Sequence, residues 1–202
     1  MLSLYFNSNM NQSKIDIGEL EKCRESINKI IFDRAFNQPI DNLPNFIEYL
    51  EFNGDFLQLL NNLPPSIKIL VLNTYGYNNP LDLLPIGLKE LTIKANEYKH
   101  PLDNLSPGLE KLTINSGEYK HPLDNLPSGL EKLQIDIHEC SIELNNLPDT
   151  LKRLTIMVYP TYPHKITKLP TSLTYFKTNI MKSKLLKIKK QIKTQQITFE
   201  SL

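Results

Sequence analysis

The sequence predicts a β-rich solenoid, a right-handed coil with one parallel strand per winding of about 21 residues, and three observations predict it. The stretch Glu97 to Leu105 (EYKHPLDNL) recurs unchanged 21 residues later as Glu118 to Leu126. A Leu that mostly precedes Pro falls at Leu43, Leu63, Leu84, Leu105, Leu126, Leu147 and Leu169, with spacings of 20, 21, 21, 21, 21 and 22. Around each of these anchors the same apolar columns return. A winding this short cannot enclose its own apolar side chains, so successive windings must stack and share one elongated core.

Each column has a place in the winding. Three residues before the anchor stand Ile40, Leu60, Leu81, Leu102, Leu123, Leu144 and Ile166. Seven after it stand Leu50, Leu70, Leu91, Leu112, Leu133, Leu154 and Phe176, and nine after it Phe52, Leu72, Ile93, Ile114, Ile135, Ile156 and Thr178, the single lapse. The alternation at plus seven and plus nine is that of a strand with one face inward. Seven before the anchor an aromatic recurs as Phe36, Phe56, Tyr77, Tyr98, Tyr119 and Tyr162, with Cys140 as the exception. Pro four before the anchor (Pro39, Pro80, Pro101, Pro122) and one after it opposes a regular α-helix, since Pro lacks a donor and fixes φ. The back of each winding is expected to be extended or 3₁₀-like, with a short second strand around Tyr119 to Leu123. The Asp or Asn pair before the anchor, as in Asp103-Asn104 and Asp124-Asn125, reads as a turn device whose side chains bond neighbouring backbone or the next winding. Gly87, Gly108 and Gly129 belong to a turn.

Taken in order, residues 1–33 form an N-terminal cap, 34–180 seven repeats and 181–202 a basic C-terminal cap, all within one structural domain. In the first segment Ile17, Leu20, Cys23, Ile27 and Ile30 follow helical spacing, with Asp16 as the helix cap and Glu19 as its reciprocal partner. Cys23, Ile27, Ile30 and Phe32 also fit a degenerate winding, so a helix over about 18 to 28 feeding a strand at 29 to 33 satisfies both patterns. The last segment carries Lys182, Lys184, Lys187, Lys189, Lys190 and Lys193 with no acid before Glu200, and the spacing of Leu185, Ile188 and Ile192 favours a capping helix.

Composition agrees with one elongated chain: 202 residues, 40% hydrophobic, 22% charged, net charge +1. That balance implies neither nucleic acid nor membrane, no apolar run reaches the length of a membrane span, and the start lacks a secretory pattern. The expected location is intracellular and cytoplasmic. Cys23 and Cys140 occupy core columns and read as buried thiols. Asn11-Gln12-Ser13 matches a glycosylation acceptor, to which no weight attaches without a leader.

The assembled columns resemble the FNIP repeat, a leucine-rich-repeat relative named for a Phe-Asn-x-Pro motif. Phe36-Asn37-Gln38-Pro39-Ile40 and Tyr77-Asn78-Asn79-Pro80-Leu81 carry the resemblance best, while the windings at Phe56, Cys140 and Tyr162 lack the Pro. The resemblance implies a leucine-rich-repeat-like fold of the slime mould and giant virus type, acting as an interaction module, in some cases behind an F-box. No F-box pattern is recognisable in residues 1–33.

The inward columns are apolar, so recognition falls to outward strand residues six, eight and ten after the anchor. There Tyr49, Ile69, Val71, Lys111, Lys132, Arg153, Met157 and Tyr175 combine aromatic, aliphatic and basic groups of the kind that anchor protein interfaces. The expected function is a non-enzymatic, monomeric scaffold binding an unidentified protein ligand on the exposed sheet face, with no cofactor, metal or small-molecule substrate. Two alternatives stand beside it: the substrate-recognition part of a ubiquitin-ligase-type adaptor, and tethering to anionic membrane or nucleic acid through the Lys-rich tail. His100, His121 and His164 share a column and could supply half a metal site, but Lys99 and Lys120 beside them repel a cation, and copying of a repeat explains the pair. No phosphate-cradling Gly loop, CxxC pair or nucleophile with base appears; an enzyme would need a pocket lined by convergent polar groups.

Overall fold

The computed structural model describes residues 2–6, 17–22, 24–138, 142–159 and 161–201. Among the described residues ten strands form one sheet whose spatial order is the chain order. They are β1 (Leu2–Phe6), β2 (Ile27–Phe32), β3 (Tyr49–Asn53), β4 (Ile69–Asn73), β5 (Glu90–Lys94), β6 (Lys111–Ser116), β7 (Lys132–His138), β8 (Arg153–Tyr159), β9 (Tyr175–Thr178) and β10 (Thr198–Ser201). Every neighbouring pair is parallel. Leu112 lies opposite Leu91 and Leu133, and Leu133 opposite Leu154, so the column seven after the anchor is one row of side chains across the sheet.

The core is the sum of these rows. Leu50, Leu70, Leu91, Leu112, Leu133, Leu154 and Phe176 are buried, as are Phe52, Leu72, Ile93, Ile114, Ile135 and Ile156. Removing each such side chain from water contributes about 1.5–3 kcal/mol, which is what fixes register from one winding to the next. Thr178, the lapse in that row, is also buried, and its hydroxyl accepts the Ile180 N–H at 3.0 Å. The aromatic column stacks: Phe36 on Phe56 and Phe56 on Tyr77, each pair 6.2 Å apart, and Tyr98 on Tyr119 at 6.3 Å. In the first windings Phe32 and Phe52 intercalate with that column, Phe52 lying 4.0 Å from Phe56.

Between strands the chain is extended and punctuated by one recurring turn. The carbonyl of the residue after each anchor accepts the N–H three residues on: Pro44 from Ile47, Pro64 from Ile67, Pro85 from Leu88, Ser106 from Leu109, Pro127 from Leu130, Pro148 from Leu151 and Pro170 from Leu173. A second backbone ladder enters each strand. The N–H groups of Lys89 and Glu90 both reach the Lys68 carbonyl, those of Glu110 and Lys111 the Lys89 carbonyl, and so on down the stack. The second strand expected around Tyr119 to Leu123 does not form, because Pro122 and the turn at Asp124-Asn125 leave the backbone without a ladder partner there.

Both ends differ from the sequence expectation. The first segment opens on β1, which pairs with β2 and was not foreseen. The helix there, α1 (Ile17–Lys22), is shorter than expected, and a turn at 24–26 leads into β2, which begins at Ile27. Ile30 and Phe32 do stand opposite Leu50 and Phe52, as the degenerate winding requires. Cys23, Cys140, Asp16 and Asn11 lie outside the described residues. At the far end the chain makes a 3₁₀ segment over Lys182–Ile188, then α2 (Lys189–Thr194), and returns as β10 alongside β9. What looked like a capping helix is a further winding with a helical back, made possible because no Pro follows Pro170. Leu185 and Ile188 fill its share of the core.

Candidate functional site

The outward residues of the sheet form a continuous face. Tyr49, Ile69, Val71, Lys111, Met157 and Tyr175 are half-buried and Lys132 and Arg153 exposed, while their inward neighbours are dry. Tyr49 and Ile69 are paired across β3 and β4, Lys111 and Lys132 across β6 and β7, and Lys132, Arg153 and Tyr175 across β7 to β9. Tyr49 donates to Glu51 at 2.6 Å and receives the Lys29 ammonium over its ring at 3.9 Å. The three basic residues are less alike than their column suggests. Lys111 is held by Glu90, and the Arg153 guanidinium lies 4.2 Å above the Tyr175 ring. Lys132 has no ion-pair partner among the described residues.

Beside this face, at the C-terminal ends of β2 to β6, lies a trough of about 1050 Å³ lined by Ile31, Asp33, Arg34, Asn53, Gly54, Asp55, Asn73, Tyr75, Lys94, Asn96 and Asn115. It is the polar concavity that enzymatic chemistry would need. Most of its polar groups, however, are spent on holding windings together. Asn73 donates to Asn53 at 2.9 Å, Asn53 to the Phe32 carbonyl at 3.2 Å, Asn96 to the Tyr75 hydroxyl at 3.2 Å, and Asn115 to Asp136 at 3.4 Å. Gly54 permits the tightest point: it adopts φ +80°, and a Cβ there would fall 2.5 Å from the Arg34 backbone. Sequence columns found Asn53, Asn73, Lys94 and Asn115 but passed over Arg34, Asp55, Tyr75 and Asn96, which follow the strands. Tyr75, 68% exposed beside this ladder, is the interface-type side chain among them.

The other sequence candidates resolve as structure. His100 and His121 place Nε2 2.9 and 2.8 Å from the carbonyls of Asn78 and Lys99 in the preceding winding, and each packs edge-on against the Tyr two residues before it. His164 makes the same edge contact with Tyr162. Both paired imidazoles are thus inter-winding struts with Nε2 committed as donor. Among the described residues no cluster of His, Cys, Asp or Glu has the arrangement of a metal site. The Asx pairs form the expected ladder: Asn62 donates to Asp41 at 2.8 Å, and Asn104 to Asp82 and Asn125 to Asp103 at 3.2 Å. Asn37 and Asn78, the Asn of the Phe-Asn-x-Pro motif, accept the N–H of Leu57 at 2.9 Å and of Lys99 at 3.2 Å. That contact gives the motif a physical reason: its side chain caps the backbone of the next winding.

Two features were not legible in the columns. A surface row five residues after the anchor pairs Lys89 with Glu110 at 2.9 Å and Lys152 with Glu131 at 2.6 Å. The hydrogen bond and charge of Lys89 hold the Glu110 carboxyl below the usual range. Such exposed pairs contribute about 0–1 kcal/mol and serve alignment more than stability. The other is polar and internal: the hydroxyls of Tyr77, Tyr98 and Tyr119 are buried without a hydrogen-bond partner, and burial pushes all three phenols well above the ordinary range.

Strand-per-winding stacking, an all-parallel sheet in chain order and a shared apolar spine define a leucine-rich-repeat-like solenoid. The FNIP Repeat family model matches residues 25–55 and 36–75, the first windings of the stack. The crystal structure of CroV588, described as a novel circular LRR protein structure, is similar at a TM-score of 0.63 with 28% sequence identity. The likeness covers 77% of this chain and 24% of that one, so this chain spans about a quarter of that protein's length. No curated protein matches the sequence. Solenoids of this type are typically non-enzymatic interaction scaffolds. No helix among the described residues is long and apolar enough to cross a membrane.

Proposed function

We propose that this chain is a non-enzymatic scaffold that holds a protein ligand across its outward sheet face. The observation that carries the reading is the adjacency of an apolar and aromatic stripe, Tyr49, Ile69 and Val71 on β3 and β4, to the polar trough that begins at Asn53 and Asn73 on the same strands. An apolar centre beside a hydrogen-bonding rim is the anatomy of a protein interface. Parallel windings hold both rows at fixed spacing, so little order is lost on binding. Arg153 stacked on Tyr175, with Met157 nearby on β8, offers a second anchor at the other end of the face. The trough supports recognition better than catalysis because its amides are engaged in the ladder.

The test is affinity capture followed by quantitative binding with two variants. One replaces Tyr49, Lys111, Lys132, Arg153 and Tyr175 together; the other replaces Lys99 and Lys120 on the back of the winding. The expected result is a ligand bound by the native chain and the back variant and lost from the face variant. Retention of every captured protein by a folded face variant overturns the reading.

A further inference from the structure

The C-terminal winding carries a second, chemically different surface. A groove of about 540 Å³ is bounded by Leu185, Ile192 and Phe199 and by the side chains of Lys182, Lys189, Lys190 and Lys193. That volume falls within the roughly 300–1,000 Å³ of ligand pockets. Apart from the lysines, its lining residues have aliphatic or phenyl side chains. Two large apolar residues next in sequence to its lining residues are exposed, Leu186 at 59% and Met181 at 57%. None of the four lysines has an acidic partner among the described residues, and the nearest acid in sequence, Glu200, pairs with Lys177 at 3.3 Å on the strand side. Six lysines and one glutamate give residues 181–202 a formal charge of +5; the whole chain carries +1, which leaves −4 on the rest.

From this geometry we infer that the C-terminal end of the solenoid docks on an anionic phospholipid surface, with its lysines at the phosphates and Met181, Leu186 and the groove taking up acyl chain. Charge complementarity selects the occupant. Lysine is a point charge that suits phosphate without demanding a fixed geometry, and a cluster of four to eight basic residues on an amphipathic segment is the pattern that attracts acidic lipid. The floor favours acyl chain over nucleic acid, which would need a row of stacking faces or base-edge partners, whereas Phe199 is the one aromatic ring among the lining residues beside aliphatic Leu185 and Ile192. It also decides against an acidic peptide, whose backbone would find few polar partners on that floor. The −4 on the remainder of the chain turns this end, rather than the flank, toward the membrane. The sequence alone offered the Lys-rich tail as an alternative tether to anionic membrane or nucleic acid; the fold sets four of those lysines around an apolar hollow.

Vesicle flotation tests this with the full chain, comparing phosphatidylcholine vesicles with phosphatidylcholine vesicles containing phosphatidylserine. Binding is expected only with phosphatidylserine and should weaken as salt rises. Each lysine contributes roughly five-fold, so Lys189→Gln, Lys190→Gln and Lys193→Gln together should cut partitioning by roughly 100-fold. Leu186→Ser with Met181→Ser, both at exposed sites, should reduce it several-fold. The thermal melt of each variant should match the native chain, and the five-fold sheet-face variant should float as the native chain does. Equal binding to both vesicle types, native-like binding by a folded triple variant, or binding of a polyglutamate peptide or RNA oligomer in place of vesicles would each overturn the assignment.

Discussion

The near-identical central windings and the C-terminal winding solve one packing problem with different polar chemistry. In the centre, Tyr98 stacks on Tyr119, Asn104 and Asn125 donate to the acids of the winding before, and Lys89 pairs with Glu110. At the end, Leu185 and Ile188 are buried as in any other winding, but the Asx pair is gone. Instead Gln191 bonds both backbone groups of Leu169 at 3.0 and 2.8 Å, Gln195 reaches the Thr171 carbonyl, and Lys184 the Pro163 carbonyl. All of these bonds run backward to the preceding winding. In this winding side chains bond back to the preceding one or carry charge outward, and a helix replaces the Pro-punctuated arc.

Four predictions sharpen the contrast, from the largest expected effect down. Leu133→Ala in the central spine should lower unfolding stability by about 2–5 kcal/mol in a denaturant titration. Phe199→Ala, on a half-buried edge residue, should cost distinctly less; equal losses would mean that the end winding is as tightly built as the middle. Tyr98→Phe should leave stability unchanged or raise it by about 1 kcal/mol, because the phenol is buried without a partner and Phe36 and Phe56 already occupy the same column. The sign of its pH dependence follows. Burial raises the folded-state phenol pKa, so the neutral form stabilises the fold fully below the unfolded value near about 10 and that stability is lost as pH rises above it. The native chain should therefore weaken in alkali more steeply than Tyr98→Phe, as thermal melts in a pH series will show.

The third prediction concerns the ladder. Asn125→Ala should cost about 0.5–1.5 kcal/mol by leaving Asp103 with one donor fewer, whereas Lys190→Ala should stay within about 0.5 kcal/mol of native. The last concerns dynamics. Amide exchange should be fastest in β10, which has one strand neighbour, and slowest in β5 to β7, which have two. Protection of β10 equal to that of β6 would show that the last winding is covered on its open side.

How far the sequence could be read depended on how often a residue's role was repeated. Leu112, Leu133 and Leu154 declare themselves because each winding needs the same side chain in the same place. Asn104 and Asn125 were legible as turn residues for that reason too. Arg34, Tyr75 and Asn96 were not, since they differ in residue type, lie beyond the strand ends and gain a shared trough only when the sheet brings their windings together. Of the proposed face, position was readable but availability was not. Nothing in the column Lys111, Lys132, Arg153 says that one is held by a carboxylate and another laid on an aromatic ring. Strands β1 and β10 were missed because their windings depart from the apolar columns that mark the others.

The sequence by itself determined the period, the inward rows and therefore the parallel stack, because burial of short windings admits one arrangement of those rows. Tertiary structure alone decided what lies between windings: which polar groups are consumed in the ladder, which hydroxyls are stranded in the core, and where lysines surround an apolar hollow. These depend on distances between residues about 20 positions apart, and a linear pattern fixes such pairs only once the coil has been closed.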